Sequence, residues 1–241
     1  MIPKVIHYCW FGNKKLPDRV KKNIDSWKKY CPDFKIIEWN EKNFDIKGNS
    51  FVAQAYKDKA WAFVSDYVRL DIIYKYGGIY LDTDVEIIKN LDDLLRNHAF
   101  IGLQRQNLLC ASGLGIGAEV GNPVIKKMRD IYLDLDFDSF NSKNITTIAA
   151  PELNDSVIRK LGYTNNLRSP VKLKSITVYP PTFFDPFSPG FVDDLMSEST
   201  YTIHHYDASW LGYRTRIQRK VVQIVGQKRI NKFKKILSKF H

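Results

Sequence analysis

The sequence predicts an α/β fold, a sheet flanked by helices, and three observations carry that reading. Short runs of β-prone residues alternate with stretches of helical periodicity, the chain opens in β-α-β order, and a long apolar helix stops at Gly77-Gly78 directly before another buried run. With 44% hydrophobic and 13% aromatic residues, the 241-residue chain can fill a substantial core, which excludes global disorder.

Val5 to Trp10 reads as the first strand, broken by Gly12-Asn13, and Phe34 to Trp39 as the second, broken by Asn40. Between them Val20, Ile24 and Trp27 mark a helix over Pro17 to Tyr30. A second helix runs from Ala60 to Tyr76, where Trp61, Val64, Val68 and Ile72 recur at spacings of three and four. Ile79 to Leu81 is then a short strand that ends on Asp82-Thr83-Asp84. A short helix near Leu91 to Leu95, strands at Ala99 to Leu103 and Leu114 to Ala118, and a helix opened by Asn122-Pro123 towards Leu135 follow. Beyond them come a helix starting after Pro151, a strand at Ser175 to Tyr179, a loop from Pro180-Pro181 to Pro189-Gly190, and a last strand at Tyr201 to His205. No internal repeat interrupts this order.

The net charge of +11 raises the question of nucleic acid or an anionic surface, and its location answers part of it. Residues 214–241 hold ten basic residues and no acidic one, which leaves 27 basic against 26 acidic residues in the first 213. The expected organisation is therefore one domain of catalytic size over residues 1–213 and a basic extension over 214–241. Ile230, Phe233, Leu237 and Phe240 repeat in that extension at helical spacing, with Lys228, Lys232, Lys235 and Lys239 offset from them. This is the pattern of a basic amphipathic helix suited to an anionic membrane, or to packing on the protein's own body. RNA-recognition aromatic motifs and zinc spacings are absent, so no specific nucleic acid is expected. Three cysteines without CxxC spacing indicate neither a disulfide framework nor a zinc site, and no apolar run approaches 18 residues. A cytoplasmic protein, peripheral on the membrane's inner face, is the expectation.

The chemistry concentrates between residues 65 and 84. Asp82 and Asp84 follow a strand at i and i+2, so their carboxylates point the same way at the end of the sheet where open α/β folds bind ligands. Such a pair suits a divalent cation, although an isolated D-x-D is more often a solvated turn. Ser65, Asp66 and Arg69 share one helix face, either as a self-neutralising ion pair or as the lining of a polar pocket. Gly113-Leu114-Gly115-Ile116-Gly117 lacks the order of a phosphate loop, and its small residues are expected to let backbone approach a ligand, with Glu119 as a ligand contact or a surface acid. A strand followed by D-x-D also opens aspartyl-phosphate phosphatases, but Glu86 stands where those enzymes carry Thr or Val.

Ala62-Phe63-Val64-Ser65-Asp66-Tyr67-Val68-Arg69-Leu70, followed by Tyr76-Gly77-Gly78-Ile79-Tyr80-Leu81-Asp82-Thr83-Asp84, resembles the signature of the DXD-containing glycosyltransferases of family 32. That family includes fungal α-mannosyltransferases and bacterial capsule and exopolysaccharide enzymes, and the catalytic domains of clostridial glucosylating toxins are similar in these motifs. Two further blocks agree: Ile2 to Gly12 with Ser26-Trp27 and Trp39-Asn40, and Thr202 to His205 with Ser209-Trp210. The resemblance spans roughly residues 2–210 and leaves out the tail.

It implies a GT-A-type, Rossmann-like sheet and retaining transfer of a hexose from a nucleotide sugar, UDP-hexose ahead of GDP-mannose. The acceptor would be a saccharide or polyprenyl-linked saccharide in surface polysaccharide synthesis. Asp82 and Asp84 would hold Mn²⁺ or Mg²⁺ against the diphosphate, with Thr83 between them. Asp66 and Arg69, with Ser65 beside them, would bind donor ribose or sugar. Tyr80 would flank the diphosphate, Trp10 would stack on the base with Phe11 next to it, and Ser209 and Trp210 would close over the diphosphate. A residue of the last strand completes the metal shell in related folds. His204 and His205 are the candidates, only one of them can face the ion, and His205 is preferred. The rival class is a non-catalytic module that uses the basic tail.

Overall fold

The computed structural model describes residues 1–135, 137 and 149–207. Strands β1 (Val5–Cys9) and β2 (Lys35–Trp39) flank helix α1 (Asp18–Tyr30), within a residue or two of the expected bounds. A helix that periodicity did not announce, α2 (Ser50–Lys57), starts where the Asn49 side chain accepts the Val52 amide, and it buries Phe51, Val52 and Ala55. Helix α3 (Trp61–Tyr76) is stopped by Gly77, whose amide returns to the Ile73 carbonyl at a φ of +65°. Gly78 follows at φ +96°, and a Cβ there would lie 2.8 Å from the Val5 carbonyl oxygen. Strand β3 (Gly78–Tyr80) can therefore lie close against β1.

Strand β4 (Val85–Ile87), also unannounced, leaves the Asp82-Thr83-Asp84 turn. A 3₁₀ turn at Asp92–Arg96 and strand β5 (Ala99–Leu103) come next. Strand β6 (Cys110–Ala118) is longer than the expected Leu114 to Ala118, and it is buried throughout. Helix α4 (Pro123–Asp130) is capped by Asn122, and helix α5 (Ala150–Lys160) begins at Ala150, so Pro151 sits inside its first turn rather than before it. Strands β7 (Val171–Lys172) and β8 (Thr177–Tyr179) precede helix α6 (Pro181–Phe184), where a loop was expected. Two prolines, Pro180 and Pro181, open that helix with φ already suitable. Strand β9 (Thr202–His204) is the last described element.

Seven strands form one sheet in the order β2-β1-β3-β6-β5-β8-β7. Strands β2, β1 and β3 run parallel, as do β5 and β8, while β6 is antiparallel to both β3 and β5. A separate antiparallel pair joins β4 to β9 with Val85 opposite His204. Two apolar cores result. One packs α2 and α3 through Phe51, Val64, Val68 and Ile72, and the other holds Val20, Trp27, Ile79, Leu81 and Phe184. Cys9, Cys31 and Cys110 are buried and free. The switch from parallel β3 to antiparallel β6, together with the β4-β9 pair, places the candidate carboxylates where the sheet's connections diverge.

Candidate active site

The site is assembled from α3, the end of β3, the turn before β4, β6 and β9. Arg69 is buried on α3 and donates from Nε to the Ser65 carbonyl at 3.0 Å and from Nη1 to Ser112 Oγ at 3.3 Å. Its Nη2 lies 3.1 Å from both Asp66 Oδ1 and Asp82 Oδ1, and the guanidinium sits 4.9 Å from the Tyr80 ring centroid. The Tyr80 hydroxyl donates to Asp82 Oδ1 at 2.9 Å. Asp82 Oδ1 thus has two positioned donors, which fixes the rotation of the carboxylate. Ser65 supports Arg69: its Oγ donates to the Ala62 carbonyl and accepts from Arg69 Nη2.

Asp84 is held from the other side. Its Oδ1 meets His204 Nε2 at 3.1 Å and its Oδ2 accepts the Asp207 amide, while its carbonyl accepts the His205 amide. Asp82, Asp84 and His204 each offer a ligand atom, and these atoms all lie within 4.8 Å of one another. Two carboxylates and an imidazole at that spacing suit a hard or borderline divalent cation. Nδ1 of His204 is buried without a hydrogen-bond partner, and the ring stands edge-on to Tyr206 at 4.1 Å.

Burial and the local charges compete at these groups. It raises the Asp66 carboxyl to about 6, against the pull of Arg69 and with the repulsion of Asp82. Asp82 is raised for the same first reason, with Arg69 opposing. At Asp84 the cost of burial is outweighed by the charge and hydrogen bond of His204 and by the Asp207 amide, and the carboxyl is held at about 2. Burial would lower His204, but the attraction of Asp84 prevails and carries it to about 9.

Not every expected residue joins this cluster. Of the two histidines it is His204 that lies with Asp82 and Asp84, while Nε2 of His205, the preferred one and the residue just past β9, reaches Glu86 at 2.9 Å, since successive residues of extended chain face opposite ways. The Phe11 side chain is buried in the core, edge-on to Phe44. Trp10 is half-buried just past β1 and donates from Nε1 to the Lys14 carbonyl at 2.6 Å. Thr83 is used through its backbone, whose carbonyl accepts Asn23 Nδ2. Glu119 meets the N-terminal ammonium and His98 at the far end of β6, which fits the surface-acid reading. Ser209, Trp210 and residues 214–241 lie outside the described residues.

The glycines of β6 make room for side chains. A Cβ at Gly113 would overlap the Asp82 carboxylate and crowd Arg69, one at Gly115 would press on Phe184, and one at Gly117 would overlap Phe100. Their spacing was the available signal, but the residues they make room for are distant in sequence. Ser112 and Asn154 were missed for the same reason. Ser112 Oγ is fully buried and receives both Arg69 Nη1 and Asn154 Nδ2.

Residues 17–101 match a family model described as a glycosyltransferase sugar-binding region containing the DXD motif. Inositol phosphoceramide mannosyltransferase 3 of Schizosaccharomyces pombe is 33% identical over 108 residues, 42% of this chain and 29% of that protein. An uncharacterized glycosyltransferase of Acanthamoeba polyphaga mimivirus is 28% identical over 176 residues, 69% of this chain and 67% of its own. Lactosylceramide 4-alpha-galactosyltransferase of Rattus norvegicus is 27% identical over 154 residues, 58% of this chain and 39% of its own. The chain spans less than a third of the fungal relative and about two thirds of the viral one. Among solved structures, the PaToxG glycosyltransferase superposes with a TM-score of 0.54 at 22% identity, over 66% of this chain and 69% of that one. That likeness shows the fold.

Proposed function

We propose, proceeding from a chain that has the GT-A glycosyltransferase fold and carries a DXD-containing sugar-binding region at residues 17–101, that the protein is a metal-dependent retaining glycosyltransferase. It moves a hexose from a nucleotide sugar to a saccharide or lipid-linked saccharide. One observation carries the reading: Asp82, Asp84 and His204 gather their ligand atoms within 4.8 Å at the end of the sheet. Those three would hold Mn²⁺ or Mg²⁺, and the imidazole favours Mn²⁺. Such an ion, when bound, supplies positive charge against the leaving nucleoside diphosphate.

The chain's own residues prepare the rest. Tyr80 and Arg69 fix Asp82, while Asp66 and Arg69 present a carboxylate and a guanidinium for donor hydroxyls. Trp10 offers an aromatic face for the base, and Ser209 and Trp210, outside the described residues, are assigned to the diphosphate by resemblance alone. The acceptor oxygen bonds to the anomeric carbon as that carbon's bond to the diphosphate oxygen breaks. Its proton passes to the departing phosphate on the same face, so an α-linked donor yields an α-linked product. UDP-hexose is the donor we assign by similarity to the glucosylating toxins. GDP-mannose is the alternative supported by relatives named mannosyltransferases.

We place the catalytic unit at residues 1–213 and the reaction in surface polysaccharide synthesis at the cytoplasmic face of a membrane. Among the described residues no helix is long and apolar enough to cross a membrane. The ten basic residues of 214–241 would bind an anionic bilayer peripherally, read as salt-sensitive sedimentation of the full chain with anionic vesicles. The catalytic reading is tested by Asp82→Ala and Asp84→Ala, each expected to lower hexose transfer by about a hundredfold or more while circular dichroism stays unchanged. Full transfer by either variant in the presence of a chelator overturns it.

A further inference from the structure

Four of the large apolar side chains that stand exposed among the described residues fall within ten consecutive positions: Phe187, Phe191, Val192 and Met196. The loop that carries them has a defined shape. The Leu195 amide donates to the Pro186 carbonyl at 3.1 Å and closes its stem. Arg105 braces it, donating from Nη1 to the Asp193 carbonyl and from Nη2 to Asp193 Oδ2, both at 2.8 Å, with the guanidinium 4.0 Å from the Phe191 ring centroid. Asp185 anchors the base of the loop, where its Oδ2 accepts both the Arg105 amide and the Tyr206 hydroxyl. Apolar side chains held in water on a braced loop gain nothing for folding, and an exposed patch of this kind marks a surface that meets apolar matter.

The neighbourhood identifies the occupant. A cavity of about 350 Å³ opens beside the loop, lined by Phe187, Pro189, Ile203, His204, His205 and Tyr206. His204 also contacts Asp84, so this cavity adjoins the cluster given above to the cation. The loop's exposed charges are acidic, Asp193, Asp194 and Glu198, and Arg105 is engaged by Asp193. An acidic rim opposes an anionic bilayer and tolerates an uncharged hydrocarbon.

We propose that the 187–196 lip and the adjoining cavity form an acceptor subsite for an apolar aglycone. The acceptor is a glycoside whose sugar enters beside His204 and whose alkyl or acyl chain lies on Phe187, Phe191 and Val192. This rests on the glycosyltransferase reading and names the acceptor class for it.

The test uses the full chain and octyl β-glucopyranoside below its micelle-forming concentration. Saturable binding is expected for the octyl glycoside, with none for glucose at the same concentrations. The double change Phe187→Ser/Val192→Ser, at exposed positions, is expected to weaken the octyl glycoside by about tenfold with the melting temperature unchanged. Equal binding of glucose, or unchanged affinity in the variant, overturns the proposal. Loss of sedimentation with phosphatidylglycerol vesicles alongside unaltered octyl glycoside binding overturns it as well and makes the lip a membrane contact. Altered proteolysis of residues 208–241 with octyl glycoside binding intact assigns the lip to the chain's own C-terminal segment instead. Donor hydrolysis is measured in the same samples. Its absence with every hexose nucleotide removes the enzyme reading, while the binding comparison still decides the subsite.

Discussion

At the scale of single residues the site depends on Gly113 as much as on its acids. Gly113→Ala places a methyl group where the Asp82 carboxylate lies, and neither Asp82 nor Arg69 can yield without breaking their contact. The expected result is a loss of about 1–3 kcal/mol in unfolding free energy, with a fall in donor turnover of tenfold or more, read from denaturant unfolding and a hydrolysis assay. His7 gives a second prediction, on pH. It accepts from Trp39 Nε1 at Nδ1 and donates from Nε2 to the Gly77 carbonyl, so it is neutral in the fold, and burial lowers its pKa to about 4. The unfolded chain binds a proton there between about pH 6.5 and 4, so the stability that neutral His7 contributes is lost as pH falls through that window. The unfolding free energy of wild type relative to His7→Gln should shrink by about 3 kcal/mol between those limits. The difference must be used because Asp66, raised to about 6, shifts total stability in the opposite direction.

At the scale of elements, α1 clamps the turn that carries the carboxylates. Asn23 donates to the Thr83 carbonyl, Ser26 Oγ accepts the Ile87 amide, and Trp27 Nε1 donates to the Val85 carbonyl at 2.8 Å. Trp27→Phe removes one buried donor and the part of the buried indole that a phenyl ring does not fill. It should cost about 1–3 kcal/mol in thermal unfolding and reduce donor turnover, because β4 loses an anchor beside the turn it shares with Asp84. The Trp27 periodicity that located α1 was legible in the sequence, and so were α3, its glycine stop and the Asp82-x-Asp84 pair, because each is written in local spacing. Strand β4 was not, since three residues paired only to β9 carry no pattern of their own. Helix α6 was hidden by its prolines, which mark loops more often than first turns. The Arg69-Ser112-Asn154 chain joins three elements, and no window of sequence contains it.

At the scale of the whole molecule, the +11 charge and the catalytic reading separate. The charge lies in the last 28 residues, whereas the cluster of Asp66, Arg69, Asp82, Asp84 and His204 sits in a body close to neutral. The β3-β6 reversal and the β4-β9 pair bring those five residues together from positions up to 138 apart in sequence, which no property of the tail requires. If that convergence exists to hold a cation and a nucleoside diphosphate, the folded state alone should bind them. The most direct measurement is the melting temperature with Mn²⁺ and UDP or UDP-hexose together, and with GDP and GDP-mannose in parallel. Wild type should gain about 2.7 kcal/mol at a hundredfold excess over Kd, seen as a rise of several degrees, and Asp82→Ala and Asp84→Ala should not. No shift with any of these nucleotides, or the same shift in both variants, would contradict the account.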